Sequence, residues 1–372
     1  MGLASMRGDA ISIEAVASKD AMTEFAMLPF QVYGEREAWW PPDIQNEIDL
    51  LSGRAPIASH LEMMPLVARN AGKLVARVTA VVNFRYNKHW NEQLGQLIHF
   101  EALAGEDRAA AAMLEDACQW LRHRGMTSVR TGFAAFLDYP YAIDNYGKLP
   151  PFLLRNSPEY YHTYFKDAGF LTEKGMTDFT IELTPRTLAS YPAMLEAAAR
   201  RGVRITTWRE HGFLDAVDAW TDVTNSAFER HWGWNPITRE EVRPMLSGLA
   251  RTEVADLSTL AVANGEVVGS MFAVPDFSPR LARVRHGVRL EASRGGGTRG
   301  ALINIGVVER WRGTAANLAL AARSFTSMAQ QGMKYAGYTL VLDENWPSRR
   351  TAQKLGGSIT SNFVVYRRDQ PE

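Results

Sequence analysis

The chain repeats itself, and no other feature restricts its fold as much. Gly72–Phe84 (GKLVARVTAVVNF) aligns without a gap with Gly265–Phe277 (GEVVGSMFAVPDF), an offset of 265 − 72 = 193 residues. Upstream, Trp39–Gly53 (WWPPDIQNEIDLLSG) is echoed by Trp234–Gly248 (WNPITREEVRPMLSG). Downstream, Gly125-Met126 and Gly332-Met333 end two matching helical runs at an offset of 332 − 125 = 207. The last pair of landmarks is Ala168-Gly169-Phe170 and Leu355-Gly356-Gly357. Chance can produce one such match; four in the same order point to a duplicated domain. At 372 residues the chain is also longer than one core usually serves. The larger offset at the third landmark places an insertion near LEASRGGGTRG (Leu290–Gly300).

Each half reads helix, helix, hairpin, strand, helix, strand, helix, strand. Gly72 and Gly265 each sit between two β-rich runs, a hairpin signature. In the second half AVDAWTDVTNSAFERHW puts Ala216, Ala219, Trp220, Val223 and Ala227 on one helical face. Thr184–Gly202 joins the halves after a Pro break. We therefore expect domains at 10–185 and 186–372.

The second half carries the clearest chemistry. Strand Ile303–Val308 runs into ERWRGTAANLALAARSF, a glycine-containing turn that opens an amphipathic helix. Such a helix start offers unpaired N–H groups and a positive dipole end, which suits phosphate. Arg310 and Arg312 add charge, and Gly313 lets the backbone approach closely. The bland alternative is an ordinary turn whose arginines pair with Glu309. Arg310-x-x-Gly313-x-Ala315 resembles the Gln/Arg-x-x-Gly-x-Gly/Ala pyrophosphate loop of the GNAT acyltransferase superfamily. LDENWPSRRTAQKLGG, with Asn345 and Leu355-Gly356, is similar to that superfamily's second signature.

This resemblance implies an α/β fold of α+β type: tandem GNAT-like domains, each a mixed, largely antiparallel central sheet flanked by helices. It implies acyl-CoA as donor substrate, held by Val307, Val308, Arg310, Arg312, Gly313, Thr314 and Ala315, with no metal. The backbone N–H groups near Val307 and Val308 are expected to polarise the thioester. In the first half Glu106 and Asp107 stand where arginine and glycine belong, and acidic residues repel a pyrophosphate. That half is read as degenerate.

Acyl transfer to an amine needs a base and a proton for the leaving thiolate. The tyrosine that the resemblance implies for the thiolate falls at Ala352, leaving Tyr366 as substitute, with strand packing as the alternative. Asn345 completes the catalytic candidates. Glu101 is the first choice of base, with His99 beside it as a substrate-binding residue and Glu309 and Asp343 as alternatives. The other histidines show no metal-ligand spacing; His231, beside Trp232 and Trp234, is expected with Trp232 at the acceptor site, with a packed histidine as the alternative.

Phe136–Phe165 is dense in Tyr, Phe and Pro. It is read as an apolar acceptor or acyl groove contributed by Tyr139, Tyr141, Tyr160 and Tyr161, or as an interdomain seam. From Pro150 on, PPFLLRNSPEYYHTYFKDAGF, together with HFEAL and LDENWPSRRTAQKLGG, resembles the tandem GNAT-like bacterial proteins that include the bacterial ceramide synthases. That implies fatty acyl transfer to the amine of a sphingoid-type lipid. The region after Gly132, FAAFLDYPYAIDNYG, departs from that pattern. The alternatives are N-acetyl transfer to a small polar amine and non-catalytic acyl-CoA binding. Lys+Arg and Asp+Glu are both 41, so no net field favours nucleic acid. Cys118 alone excludes an intramolecular disulfide. Met1–Ala10 lacks a secretory run, and no apolar stretch is long enough to span a bilayer. The expectation is a cytoplasmic protein with at most peripheral contact with the inner membrane.

Overall fold

Two tight turns set the frame. Ala71 and Gly72 have φ of 50° and 81°, and Asn264 and Gly265 have φ of 53° and 81°. Two successive left-handed residues make the twisted hairpin turn that flanking strands prefer, and Gly takes the second place in both because only it does so without strain. The computed structural model describes residues 11–34, 38–155, 157–250, 253–283 and 297–371. Its strands are β1 (Ile11–Ala15), β2 (Leu61–Asn70), β3 (Lys73–Asn83), β4 (Leu94–Ala102), β5 (Ser128–Thr131), β6 (Tyr141–Ala142) and β7 (Leu171–Glu182). They continue as β8 (Arg204–Thr207), β9 (Thr259–Ala263), β10 (Glu266–Pro275), β11 (Arg299–Val307), β12 (Tyr335–Leu342) and β13 (Gly357–Asp369).

All belong to one sheet, ordered β1-β2-β3-β4-β5-β13-β7-β12-β11-β10-β9-β8, with the short β6 on β13. Only β4–β5 and β11–β12 are parallel, and every other pairing is antiparallel. The mixed, largely antiparallel sheet flanked by helices is the architecture expected from the sequence. Period-two alternation is visible along β10. Met271 and Ala273 join the core under the helices Tyr191–Ala199 and Ala316–Gln330, while Phe272 and Val274 join the core under Phe213–Phe228 and Arg239–Ser247.

The ladders repeat with the landmarks. Ala76 pairs with Ala102 as Gly269 pairs with Val307, and Leu97 pairs with Thr131 as Leu302 pairs with Tyr338. The offset is 193 at β10, 205 at β11 (307 − 102) and 207 at β12 (338 − 131). Twelve of the 14 extra residues thus fall between β10 and β11. The insertion expected at Leu290–Gly300 lies outside the described residues up to residue 296.

The halves exchange their final strands. β7 ends the first half yet pairs with β12, and β13 ends the second half yet pairs with β5. They meet antiparallel at the centre, where Phe363 pairs with Met176; both belong to the core cluster at the seam. At the offset of the last landmark, 356 − 169 = 187, these two residues are each other's equivalents. An approximate two-fold axis therefore passes between them. The expected boundary at 185/186 comes just after β7, a strand held between β12 and β13, so each half completes the other's sheet.

Candidate active site

The parallel β11–β12 ladder stops at Leu302↔Tyr338. Beyond it the strands diverge, β11 continuing to Val307 and β12 to Leu342. Two local irregularities accompany the divergence. Ile303 is an extra residue opposite β10, a β-bulge, and Leu340 has φ of 51°, a strained conformation for leucine. The result is a cleft of about 530 Å³ lined by Asn304–Val307, Arg312, Gly313, Asn317, Tyr338, Thr339, Asn345 and Ser348, among others.

On its β11 edge the Val307 N–H has no partner among the described residues. The Val308 N–H donates to the Val268 carbonyl at 2.9 Å, so it is not available to a ligand. Strand alternation points the Val307 N–H the other way, toward the cleft. Past the edge, Gly313 has φ of 80°, and a Cβ there would meet nothing within 4 Å. Its conformation, not its space, calls for glycine. Thr314 Oγ1 donates to the Trp311 carbonyl at 2.7 Å, and Ala315, at φ 64°, precedes Ala316–Gln330 without a side-chain cap. The first turn of that helix thus presents uncapped N–H groups at the cleft, which fits a phosphate group. Arg312 lies on the rim, bonded to the carbonyls of Ala227 (3.1 Å) and Val307 (3.4 Å). Arg310 does not line the cleft; it is exposed and paired with Glu266 at 2.5 Å.

Asn345 lines the cleft and caps the helix Trp346–Lys354, accepting the Ser348 N–H at 3.2 Å. The Tyr338 hydroxyl lies 3.0 Å from Ser348 Oγ, and burial pushes its pKa up to about 12. This pair was not foreseen, because Tyr338 reads as one more apolar residue of a buried strand. Tyr366 is elsewhere. It sits in the first-half core with its hydroxyl on His162 Nδ1 at 2.8 Å, and cannot stand in at the cleft.

The first half has the same divergence with different contents. Beyond Leu97↔Thr131 the corresponding β4 edge is closed by tyrosines. Tyr161 Oη accepts the Ala102 N–H at 2.9 Å and donates to Glu101 at 2.7 Å. Tyr160 and Tyr164 donate to the carbonyls of Ala102 (2.8 Å) and Leu103 (3.0 Å). Ala102 is the counterpart of Val307, so the backbone left open in the second half is occupied here. This moves Tyr160 and Tyr161 from the expected acceptor groove to a plug.

Glu101 is likewise not at the cleft. It occupies the position of Gly306, is 1% exposed, and lies 3.6 Å from Arg155. Burial raises its pKa against the opposing charges of Arg77 and Arg155. Arg77 pairs with Glu47 at 2.7 Å and donates to the Phe25 carbonyl at 2.9 Å. Breaking so buried a pair from one side costs about 3–5 kcal/mol, which makes the network part of the core. His99 is bonded to Thr79 at 3.3 Å, and burial lowers its pKa to about 3, so it is neutral and enclosed.

A second, apolar pocket of about 160 Å³ adjoins the cleft and shares Phe228, His231, Ile303, Asn304, Thr339 and Leu340 with it. Phe133, Phe136, Tyr139 and Phe152 come to it from the first half, and Trp220, Trp232 and Trp234 from the second. The aromatic stretch is thus divided: its early part walls a pocket at the seam and its later part plugs the first half. Tyr141 is not part of this wall: it packs in the first-half core against Phe165 and Tyr366, its hydroxyl 2.7 Å from Thr131 Oγ1, so it does not reach the expected acceptor groove. The Trp232 ring stacks on Phe133 at 5.4 Å and lies 4.5 Å from the Arg130 guanidinium. Asn304 accepts from the Trp220 indole at 2.8 Å.

His231 stands where cleft and pocket meet. Its Nδ1 lies 3.1 Å from the Trp232 carbonyl, which can only accept, so Nδ1 carries the proton and Nε2 keeps its lone pair. Burial lowers its pKa, against the Trp232 carbonyl and Glu344, so the ring is neutral near pH 7. Among the described residues no cluster of His, Cys, Asp or Glu is arranged to hold a metal ion, and no helix is long and apolar enough to cross a membrane.

With strand exchange, divergent parallel pair and open helix start in view, the chain has the tandem GNAT fold. No family model matches it. It superposes on a tandem GNAT protein from the clavulanic acid biosynthesis pathway with a TM-score of 0.59 at 14% identity, covering 98% of this chain and 100% of that one. A GCN5-related N-acetyltransferase from Sphaerobacter thermophilus gives 0.56 at 14% identity, covering 97% and 96%. In sequence the chain is 22% identical over 284 residues to the bacterial ceramide synthase of Caulobacter vibrioides, 74% of this chain and 72% of that protein. It is 19% identical over 272 residues to protein YghO of Escherichia coli, 73% and 70% of the two chains.

Proposed function

We propose that this chain is a CoA-dependent N-acyltransferase that moves an acyl group, fatty acyl by preference, to the amine of an apolar acceptor such as a sphingoid base. The observation that carries the reading is the continuity of the β11–β12 cleft with an aromatic pocket, with a neutral histidine at their junction. The uncapped start of Ala316–Gln330, with Gly313, Ala315 and Arg312, holds the phosphates of the donor. The Val307 N–H receives the acyl oxygen. His231 Nε2 takes the proton of the attacking amine, and the Tyr338–Ser348 pair supplies one to the departing thiolate. The first half contributes pocket walls and holds no donor of its own.

The lining favours an apolar acceptor over a small polar amine. A cavity of 160 Å³ is close to the roughly 150 Å³ that encloses a benzene ring, so only the amine-bearing end of a long chain is enclosed. The test is thiol release from acetyl-CoA and palmitoyl-CoA, each with and without sphinganine. Sphinganine-dependent release from palmitoyl-CoA is the expected result. Release from acetyl-CoA with small polar amines alone contradicts the lipid assignment, and binding without release contradicts catalysis.

A further inference from the structure

The seam pocket has one acidic side chain among the described residues that line it, Asp138. It is 5% exposed and closes a tight turn, bridged to Ala134. One carboxylate oxygen accepts the Tyr139 N–H at 2.9 Å. The other accepts no hydrogen bond from the described residues. Arg155 is the cation that acts on it most strongly, and Asp138 is in turn the carboxylate that acts most strongly on Arg155, whose ion pairs within 4 Å are with Glu101 (3.6 Å) and Glu47 (3.9 Å). Burial raises the Asp138 pKa to about 6.

A carboxylate oxygen without a hydrogen-bond partner at the wall of an aromatic pocket offers a strong acceptor to whatever fills that pocket. The group that takes it has to bring N–H donors, and an alkylammonium brings three together with a charge that the carboxylate favours. The surrounding rings, Trp234, Phe136 and Phe152 among them, give apolar contact to the carbons that carry it. A second carboxylate is excluded by the same logic, because like charges in a water-poor pocket repel strongly.

Resting on the acyltransferase reading, we infer that Asp138 anchors the ammonium group of the acceptor, and that the acceptor class is a primary amine on an apolar body with no carboxylate on the amine-bearing carbon. Asp138 selects and holds the acceptor; one ammonium proton leaves to solvent before the neutral amine attacks, and His231 Nε2 takes the proton released in that attack. An amino acid is rejected, and an alcohol of the same shape binds weakly because it brings no charge.

The experiment compares octylamine, 1-octanol and 2-aminooctanoate as ligands of the full chain by calorimetry, in wild type and Asp138→Asn. Wild type is expected to bind octylamine at least tenfold more tightly than the other two. Asp138→Asn keeps the acceptor for the Tyr139 N–H and is expected to lose at least tenfold for octylamine only, with CoA binding and the thermal midpoint unchanged. In turnover assays the loss falls on KM for the amine and not on kcat. Equal binding of octylamine and octanol by wild type overturns the inference, and needs no variant to fold. So does an Asp138→Asn protein that acylates octylamine at unchanged KM, an outcome that leaves the acyltransferase reading intact. Tight, Asp138-dependent amine binding without turnover leaves the anchor standing and removes the acyltransferase reading.

Discussion

Replacing His231 with Ala lowers kcat for amine acylation by about 10²–10⁴-fold, the usual contribution of a positioned general base, and leaves CoA affinity within about twofold. The expectation follows from position and protonation together. His231 lines both the donor cleft and the acceptor pocket, and its proton is committed to the Trp232 carbonyl. Its lowered pKa adds a pH signature. An alkylamine must itself lose a proton, so log(kcat/KM) rises with unit slope from acid toward the amine's own pKa. Below the His231 pKa, which lies under the ordinary 6.5, the base is also lost and adds one unit of slope, beside the unit that protonation of Asp138 near pH 6 adds in both proteins. In the variant the unit due to His231 is absent. Steady-state rates from pH 5 to 9 check both statements, and an unchanged kcat in His231→Ala removes the residue from the mechanism.

The second large effect is at the phosphate cradle. Gly313→Glu places a carboxylate where the uncapped helix start meets the cleft. One like-charge contact at about 5 Å and an effective dielectric of about 20 amounts to roughly 3 kcal/mol, more than a hundredfold in affinity. Gly313→Ala is the control, because it adds the strain of a left-handed φ without the charge, about 1 kcal/mol borne by stability. Calorimetric titration with CoA is expected to show near-normal affinity for the alanine variant and none for the glutamate. Similar losses in both would mean that loop shape, not charge, governs binding.

Both predictions rest on elements whose visibility in the sequence differs. The glycine turn and the helix start behind it were legible because Gly313 and the apolar periodicity of Ala316–Gln330 are local signals. The hairpins were legible for the same reason, and the offsets of 193 and 207 recur unchanged in the strand ladders. The exchange of β7 and β13 was not, since nothing within LTEKGMTDFTIE or GSITSNFVVYRRD says which neighbour each strand will choose. Tyr160 and Tyr161 misled because aromatic density looks alike whether rings line a cavity or their hydroxyls close a strand edge. Glu101 misled because it was judged by its strand end alone. Its counterpart at offset 205 is Gly306, so the half with the open cleft has no carboxylate there. Asp138 lies in the stretch after Gly132 that departs from the ceramide-synthase-like pattern. That departure was the available signal for an acceptor residue, though it did not single one out.

The second half binds the donor and the plugged first half does not, and the stoichiometry of CoA binding to the full chain is the measurement that decides it. One CoA per chain is expected, abolished by Gly313→Glu. Two per chain, or one that survives Gly313→Glu, would overturn this division of the halves.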